Sequence, residues 1–305
     1  MSSYTKSPLS IEEQVNKLEQ RGMLFKNDDK KSAENFLSHN NYYRFSGYAF
    51  TFQDRKSPKL FKKDVDFETV LNLYEFDSEL RSLLMKAISK IEIALRTQIV
   101  NNYSMMHLSH WHIDPSLFKD RNRHNEFLKN LQDNIKCSGE DFIRHYNKEY
   151  ETPSVPPNWM CLEIISFGQL SLLYKNLDDS KGPKINIAKH FGLNTTHLLG
   201  KWIHGIHIIR NICAHHGRLW NRSIPVEMLI QNEISKDLQN SFIKIMPSSP
   251  NRIYASICSI QYLLDIIESN NTFRNELKEL MNKLPANQKG NMGFVKNWDK
   301  DQFWN

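Results

Sequence analysis

The chain has 305 residues, of which 40% are hydrophobic and 24% charged. This length favours one folded body with peripheral additions, and the composition argues against a largely disordered chain. Cys137, Cys161, Cys213 and Cys258 are far apart and form no CxxC pair, so neither a disulfide framework nor a cysteine zinc site is expected. No apolar leader opens the sequence and no stretch approaches the roughly 18 apolar residues of a membrane span. We therefore expect a cytoplasmic protein without a membrane partner.

The formal charge of +6 is distributed unevenly. Residues 180–226, the acid-free stretch, contain no Asp or Glu but seven Lys or Arg and six of the twelve histidines. Such a stretch is typical of a surface that binds an anionic ligand, or of an ordinary solvated basic face.

Periodicity in the first half predicts three helices. A capping box at Ser10–Glu13 opens a helix of about ten residues, and a second covers 32–37 before an aromatic-rich turn at 40–48. Asp66 opens the longest apolar repeat, to about Tyr103. At 1.5 Å per residue it would be about 55 Å long, enough to span a bundle.

The sequence after residue 120 predicts further helices and no convincing strand. They cover 123–136, 139–149 and 158–174, where Pro157 suits a helix start. Asn194 is predicted to cap a helix that runs to about His216, after a glycine stop at Gly192. Weaker helices at 253–267 and 273–281 precede a polar tail. The predicted fold class is all-α.

On a helical wheel, residues 199–215 have one apolar side, formed by Leu199, Trp202, Ile206, Ile209 and Cys213. Opposite them lie His204, Asn211 and His215, within about 40° of one another. A polar cluster of this kind is either an exposed face with satisfied histidines or a functional site.

Several segments carry a family resemblance. The pattern Arg210-Asn211-x-x-x-His215 matches the R-x4-6-H motif of HEPN ribonucleases. Its surroundings, in order along nearly the whole chain, are NNYYRFSGY (40–48), LYEFDSELR (73–81), IEIALR (91–96), PPNWMCLEIISFGQLSLLYKNL (156–177), RNICAHHGRLWNR (210–222) and MGFVKNW (292–298). Together they resemble the Abi (abortive infection) family of the AbiD and AbiF type.

The resemblance implies a HEPN-like helical bundle at 63–222, with helical extensions at 1–62 and 223–305. It also implies metal-free RNA cleavage by 2′-OH attack, without a cofactor. His215 would be the general acid and base, since histidine exchanges protons near neutral pH. Arg210 would stabilise the phosphoryl oxygens, and Asn211 would orient the imidazole or hold the phosphate.

Arg210 lies about 140° from His215 on an ideal helix, so the two side chains do not simply stack. A wrapped side chain, a distortion near Gly217, or a second copy of the chain would bring them together. We favour a homodimer with a composite active site. The additional RNA-binding candidates all lie in the acid-free stretch: His204, His207, His216, Arg218 and Arg222.

Three other groups permit two interpretations each. Glu92 and Arg96 form either a helix-stabilising pair or part of the site. The second group, His107, His110, His112 and Asp114, has spacings that match no zinc pattern, so a surface or turn cluster is favoured. The aromatic residues at 40–48 either stack on RNA bases or are structural.

The leading functional hypothesis is an endoribonuclease toxin that halts a phage-infected cell, restrained by a neutralising protein or RNA. The alternative is a non-catalytic RNA-binding HEPN module that senses or sequesters a structured RNA, because one fold hosts several functions. A purely structural dimerisation protein would leave the acid-free stretch unexplained.

Overall fold

A computed structural model of the chain describes residue 3 and residues 6–26, 29–54, 56–57, 59–226, 228 and 251–305. Within these residues there are thirteen α-helices, short 3-10 segments and isolated bridges, but no β-strand. The predicted all-α class is confirmed. Among the described helices, none is both long and apolar enough to cross a lipid bilayer.

The helices are α1 (Ile11–Gln20), α2 (Asp29–His39), α3 (Tyr42–Ala49), α4 (Phe67–His107), α5 (Arg121–Cys137), α6 (Asp141–Glu149), α7 (Asn158–Cys161), α8 (Phe167–Asn176), α9 (Lys184–His190), α10 (Thr196–Ala214), α11 (Ile253–Ile267), α12 (Phe273–Asn282) and α13 (Ala286–Gly290).

The chain divides into two compact units, residues 1–80 and 81–305, with the division inside α4. The sequence-based boundaries after residues 62 and 222 remain predictions. Part of the predicted C-terminal extension, residues 229–250, lies outside the described residues.

The first unit has an aromatic core. The rings of Phe36, Phe45 and Phe67 lie 5.1–6.1 Å apart between centroids, which is the range of favourable ring packing. The buried Tyr48 hydroxyl donates a 2.6 Å hydrogen bond to the Asp77 carboxylate, which is also buried. This bond satisfies two polar groups that would be costly to bury alone.

The aromatic turn predicted at 40–48 is wrong, because most of that segment forms α3. The Asn41 side chain caps the helix by accepting from the Tyr43 N–H, and Phe45, Tyr48 and Ala49 are buried at helical spacing. Phe45 and Tyr48 are therefore structural residues of the core. The side chain of Tyr43 is 85% exposed and does not belong to the core.

In the second unit, α10 packs against α8, α9 and α11. Although 253–267 was predicted only as a weak helix, α11 is the most buried helix around α10, with every residue from Ile253 to Leu264 buried. Because this part of the helix is buried on all sides, it has no exposed polar face that would mark it as a helix in the sequence.

The single helix predicted at 158–174 is wrong. Turns at 162–166 separate α7 from α8, because Ser166 caps a new helix with a capping box. The Ser166 side chain accepts from the Gln169 N–H, and the Gln169 side chain accepts from the Ser166 N–H. A further helix, α9, was not predicted. It ends at the predicted glycine stop, where Gly192 has φ +67° and the Leu193 N–H bonds the Ala188 carbonyl at 2.9 Å.

The predicted polar tail is also wrong. Phe294 and Trp304 pack on Tyr254 of α11, with ring centroids 4.5 and 6.3 Å away, and the Trp304 indole donates to the Tyr254 hydroxyl at 3.2 Å. Single aromatic residues among polar ones give no periodic signal, so the sequence pattern missed this cluster.

Candidate functional site

The motif lies on α10, whose N-cap is Thr195 and not the predicted Asn194. The Thr195 side chain accepts from the Leu198 N–H at 3.1 Å, one of the bonds that satisfy the first turn of a helix. The apolar side predicted for this helix is buried throughout: Leu199, Trp202, Ile206, Ile209 and Cys213. The polar side therefore faces away from the core.

The helix ends at Ala214, two residues earlier than predicted. His215 is the C-cap, and His216 follows with φ +53°. The Gly217 N–H donates to the Ile212 carbonyl at 2.7 Å and the His216 N–H to the Cys213 carbonyl at 3.0 Å, a Schellman arrangement. His215 is exposed at this helix end.

Asn211 contacts a different histidine from the one predicted. Its amide nitrogen lies 2.8 Å from Nε2 of His207, one turn earlier. Because an amide NH2 group only donates, Nε2 accepts this bond and the proton of a neutral ring is on Nδ1. Asn211 thus forms a pair with His207, and the roles predicted for it, orienting the imidazole of His215 or holding the phosphate, remain predictions.

The His207 ring is also fixed from α8. A Cβ atom added to Gly168 would lie 2.8 Å from His207 Nε2, so only glycine permits this close packing. The Phe167 ring meets the imidazole edge-on, with centroids 6.1 Å apart. His207 is therefore held between α8 and Asn211.

Burial and positive neighbours favour neutral histidines on this face. The pKa of His207 is lowered by burial and by the charges of His204 and Arg210. The pKa of His204 is lowered by burial and by Lys175. Since both groups are in an excess of positive charge, an added anion would relieve the repulsion.

Arg210 is half-buried and lies close enough to act electrostatically on His207. In the described part of the chain, no carboxylate forms an ion pair with it. The structure thus brings together Arg210, His207 and Asn211 on two turns of α10. The remaining motif residue, His215, follows at the helix end, where its N–H donates to the Asn211 carbonyl at 3.0 Å.

The turn after α10 is held by hydrogen bonds from the residue that precedes α11. Arg252, immediately before α11, donates to the Asn221 carbonyl at 3.2 Å and to its side-chain oxygen at 3.0 Å. Trp220 is buried beside the exposed Arg222. The candidates Arg218 and Arg222 therefore lie on a fixed turn, where Arg218 is half-buried.

Glu92 and Arg96 form the predicted ion pair within one helix, at 3.0 Å. Arg96 additionally reaches Glu163 at 3.2 Å and donates to the Ile165 carbonyl at 3.2 Å. These contacts anchor the turn that leads into α8, the helix that carries Gly168. The pair therefore has a structural role that reaches beyond α4.

Two of the histidines at 107–112 connect α4 and the segment after it to more distant loops through hydrogen bonds. His107 bonds the Lys181 carbonyl at 3.1 Å and His110 the Val155 carbonyl at 3.1 Å, while His112 is buried. Among the described residues, no three His, Cys, Asp or Glu side chains converge as a metal site would require.

A cleft of about 470 Å³ lies beside His204, between α5, α8, α9 and α10. Five cations line it: Lys119, Arg123, Lys175, Lys184 and Lys201. Sequence reasoning missed three of these because Lys119, Arg123 and Lys175 lie outside the acid-free stretch. Lys184 lies inside that stretch, but it is buried and paired with Asp179 at 3.1 Å, so its charge is already neutralised.

Comparison with protein-family models finds a match to the Abi-like protein family over residues 35–221. The matched segment covers more than half of the chain and includes the Arg210–His215 motif, so the protein belongs to this family. Membership indicates a part in abortive-infection defence against phage. Comparisons with curated proteins and with solved structures give no match.

Proposed function

We propose that this protein is a metal-independent endoribonuclease of the HEPN type that acts in abortive-infection defence. The observation that carries the proposal is the position of Arg210 and His215 near the end and at the C-cap of α10, the helix whose His204 lines the basic cleft. RNA is the polyanion that such a surface suits, and its 2′-OH is an internal nucleophile.

The proposed reaction needs two proton transfers. One imidazole removes the proton from the 2′-OH, whose oxygen bonds to the adjacent phosphorus. The P–O5′ bond then breaks as a protonated imidazole gives its proton to O5′, leaving a 2′,3′-cyclic phosphate and a 5′-hydroxyl. We assign the proton transfers to His215, which is exposed at the helix end. The Arg210 guanidinium would stabilise the charge on the phosphoryl oxygens.

A second copy of the chain is part of the proposal. The two histidine functions, acid and base, would come from the His215 residues of two chains related by a two-fold axis beside the end of α10. The wheel angle of about 140° between Arg210 and His215 supports this arrangement, since one copy does not easily direct both side chains at one phosphate. A nuclease that stops growth also needs restraint, so we include a neutralising protein or RNA among its partners.

The test is cleavage of RNA by the purified chain in EDTA. We expect 2′,3′-cyclic phosphate and 5′-hydroxyl ends, and no cleavage of DNA of the same sequence, which lacks the nucleophile. Cleavage that needs an added divalent metal, or products with 3′-hydroxyl ends, would contradict the mechanism.

A non-catalytic RNA-binding module is the second candidate function. The Asn211–His207 bond favours it, because this pair is satisfied within the chain and does not require a substrate. Such a protein would bind RNA with an affinity that falls steeply with salt and would show no turnover.

A further inference from the structure

An apolar pocket of about 230 Å³ lies between α5 and α8. Phe118, Phe127, Leu172 and Leu173 line it, and Leu172 is 63% exposed. Polar side chains also line it, and they include the amide of Gln169 and the charged groups of Arg123 and Glu126. A small concave site of this composition suits a flat ring with polar edges.

The pocket adjoins the basic cleft, and the wall between them is rigid. Arg123 and Asn176 line both cavities. The Asn176 side chain accepts from the Asp120 N–H at 3.0 Å and donates to the Asp120 carbonyl at 2.9 Å. Its own carbonyl accepts from the Lys119 N–H at 2.8 Å. These hydrogen bonds therefore fix the position of the pocket relative to the cleft.

The cleft contains more cations than carboxylates. Asp179 pairs with Lys119 and Lys184, and Asp120 with Arg123 at 3.5 Å. In the described residues, neither Lys175 nor Lys201 has an acidic partner. These two lysines line the cleft together with His204, so a phosphate there would meet cations that have no other counter-charge.

The pocket end offers a stacking surface. The Phe118 ring stacks on His124 at 3.9 Å between centroids, and His124 is nearly parallel to Phe127 at 6.5 Å. Phe127 is half-buried at the end of this row. The Gln169 oxygen already accepts from Ser166 N–H and Asn134, which leaves its NH2 group to donate to a ring carbonyl.

We propose that the apolar pocket and the basic cleft together bind a nucleoside phosphate, with the base on Phe127 and the phosphate at Lys175 and Lys201. Base stacking on an aromatic side chain beside a basic groove is the general chemistry of nucleotide recognition. The nucleotide is either one unit of an RNA strand or a free molecule. The proposal does not require that the protein cleaves RNA.

The test measures binding to the full chain with three probes, all in EDTA. They are a fluorescein-labelled, single-stranded 2′-O-methyl oligoribonucleotide, which has no free 2′-OH to react, a mixture of the four nucleoside monophosphates, and inorganic pyrophosphate. Because the oligonucleotide cannot be cleaved by 2′-OH attack, its binding is independent of the proposed nuclease activity.

Matched variants separate the two cavities. The Lys175→Ala, Lys201→Ala double variant is expected to weaken binding of every probe that wild type binds by about tenfold. Leu172→Asp, at an exposed position, is expected to weaken the two nucleotide probes and leave pyrophosphate unchanged. Lys189→Ala and Leu108→Asp, also exposed but outside both cavities, serve as controls.

The probes also identify the source of the nucleotide. Binding of the oligonucleotide alone supports an RNA strand, and binding of the monophosphates supports a free ligand. The proposal is overturned if neither nucleotide probe binds, if the controls weaken binding as much as the cleft variants, or if Leu172→Asp has no effect on either nucleotide probe.

Discussion

At the scale of single residues, the structure gives Asn211 a bonding partner, His207, that the sequence analysis does not name. A side chain at i+4 from a histidine can bond to it directly, and 207 and 211 have this spacing. The polar cluster predicted on the helical wheel contains Asn211, His204 and His215 but not His207. The sequence contained the signal, whereas the glycine contact from α8 that fixes the ring depends on tertiary packing.

Gly168→Ala tests whether close packing holds His207. The new methyl group would lie 2.8 Å from His207 Nε2, so the ring must move and its bond to Asn211 should weaken. We expect a loss of about 1–3 kcal/mol in the free energy of unfolding, measured with a denaturant. Gly139→Ala, where nothing lies within 4 Å of the added atom, should change stability by less than about 0.5 kcal/mol. Equal effects of the two substitutions would refute the packing argument.

His112 makes stability depend on pH. Burial, with smaller effects from His110 and His124, lowers the pKa of His112 from 6.5 to about 3. Because the unfolded chain binds the proton near pH 6.5 and the folded chain does not, stability is full above that pH and is lost as the pH falls toward 3. Between pH 7 and pH 5 the loss should be about 2 kcal/mol.

Denaturant unfolding at a series of pH values measures this loss. His112→Gln should have a shallower dependence on pH over the same range, since the titrating group is gone. An unchanged slope in this variant would show that His112 does not titrate as described.

At the scale of elements, the capped and amphipathic helices were predictable, and the exceptions have physical causes. The capping box at Ser10–Glu13 was correctly assigned. A second box, at Ser166 and Gln169, divides the segment 158–174 into α7 and α8, so the prediction of a single helix there is wrong. Aromatic residues and Gly47 have low helix propensity and favour a turn at 40–48, but the burial of Phe45 and Tyr48 outweighs that preference.

The turn that follows α10 contains a residue in a strained backbone conformation. His216 occupies the left-handed position that usually requires glycine. We expect His216→Gly to raise the free energy of unfolding by about 1 kcal/mol, and His216→Val to lower it, because a β-branched residue is strongly disfavoured there. Thermal unfolding of both variants measures the difference. A destabilised His216→Gly protein would mean that contacts of the imidazole outweigh the backbone strain.

At the scale of the whole molecule, the sequence predicted the all-α class and the family, whereas the composite site that we propose requires a second copy of the chain. If the proposed active site needs His215 from both copies of the chain, an excess of His215→Ala chains should suppress wild-type activity through mixed dimers. Cleavage rates measured across a series of mixing ratios, after exchange of subunits, should fall faster than the wild-type fraction. A linear fall would indicate independent sites.

The position of the basic cleft could not be predicted, because its cations come from α5, α8, α9 and α10 and from Lys119, two residues before α5. Only the acid-free part of this surface is continuous in sequence. The uneven charge of the sequence therefore predicts only the part of the cleft that lies in the acid-free stretch, and the remaining cations reach the cleft through the tertiary fold.

The most direct measurement compares RNA cleavage rates in EDTA for wild type, His215→Ala and Arg210→Ala, with His190→Ala as a control histidine that is exposed in the acid-free stretch but outside the motif. The proposed mechanism predicts that His215→Ala and Arg210→Ala each lose at least about a hundredfold in rate, while their circular dichroism spectra and the rate of His190→Ala match wild type. A folded His215→Ala protein that cleaves RNA at the wild-type rate would contradict it.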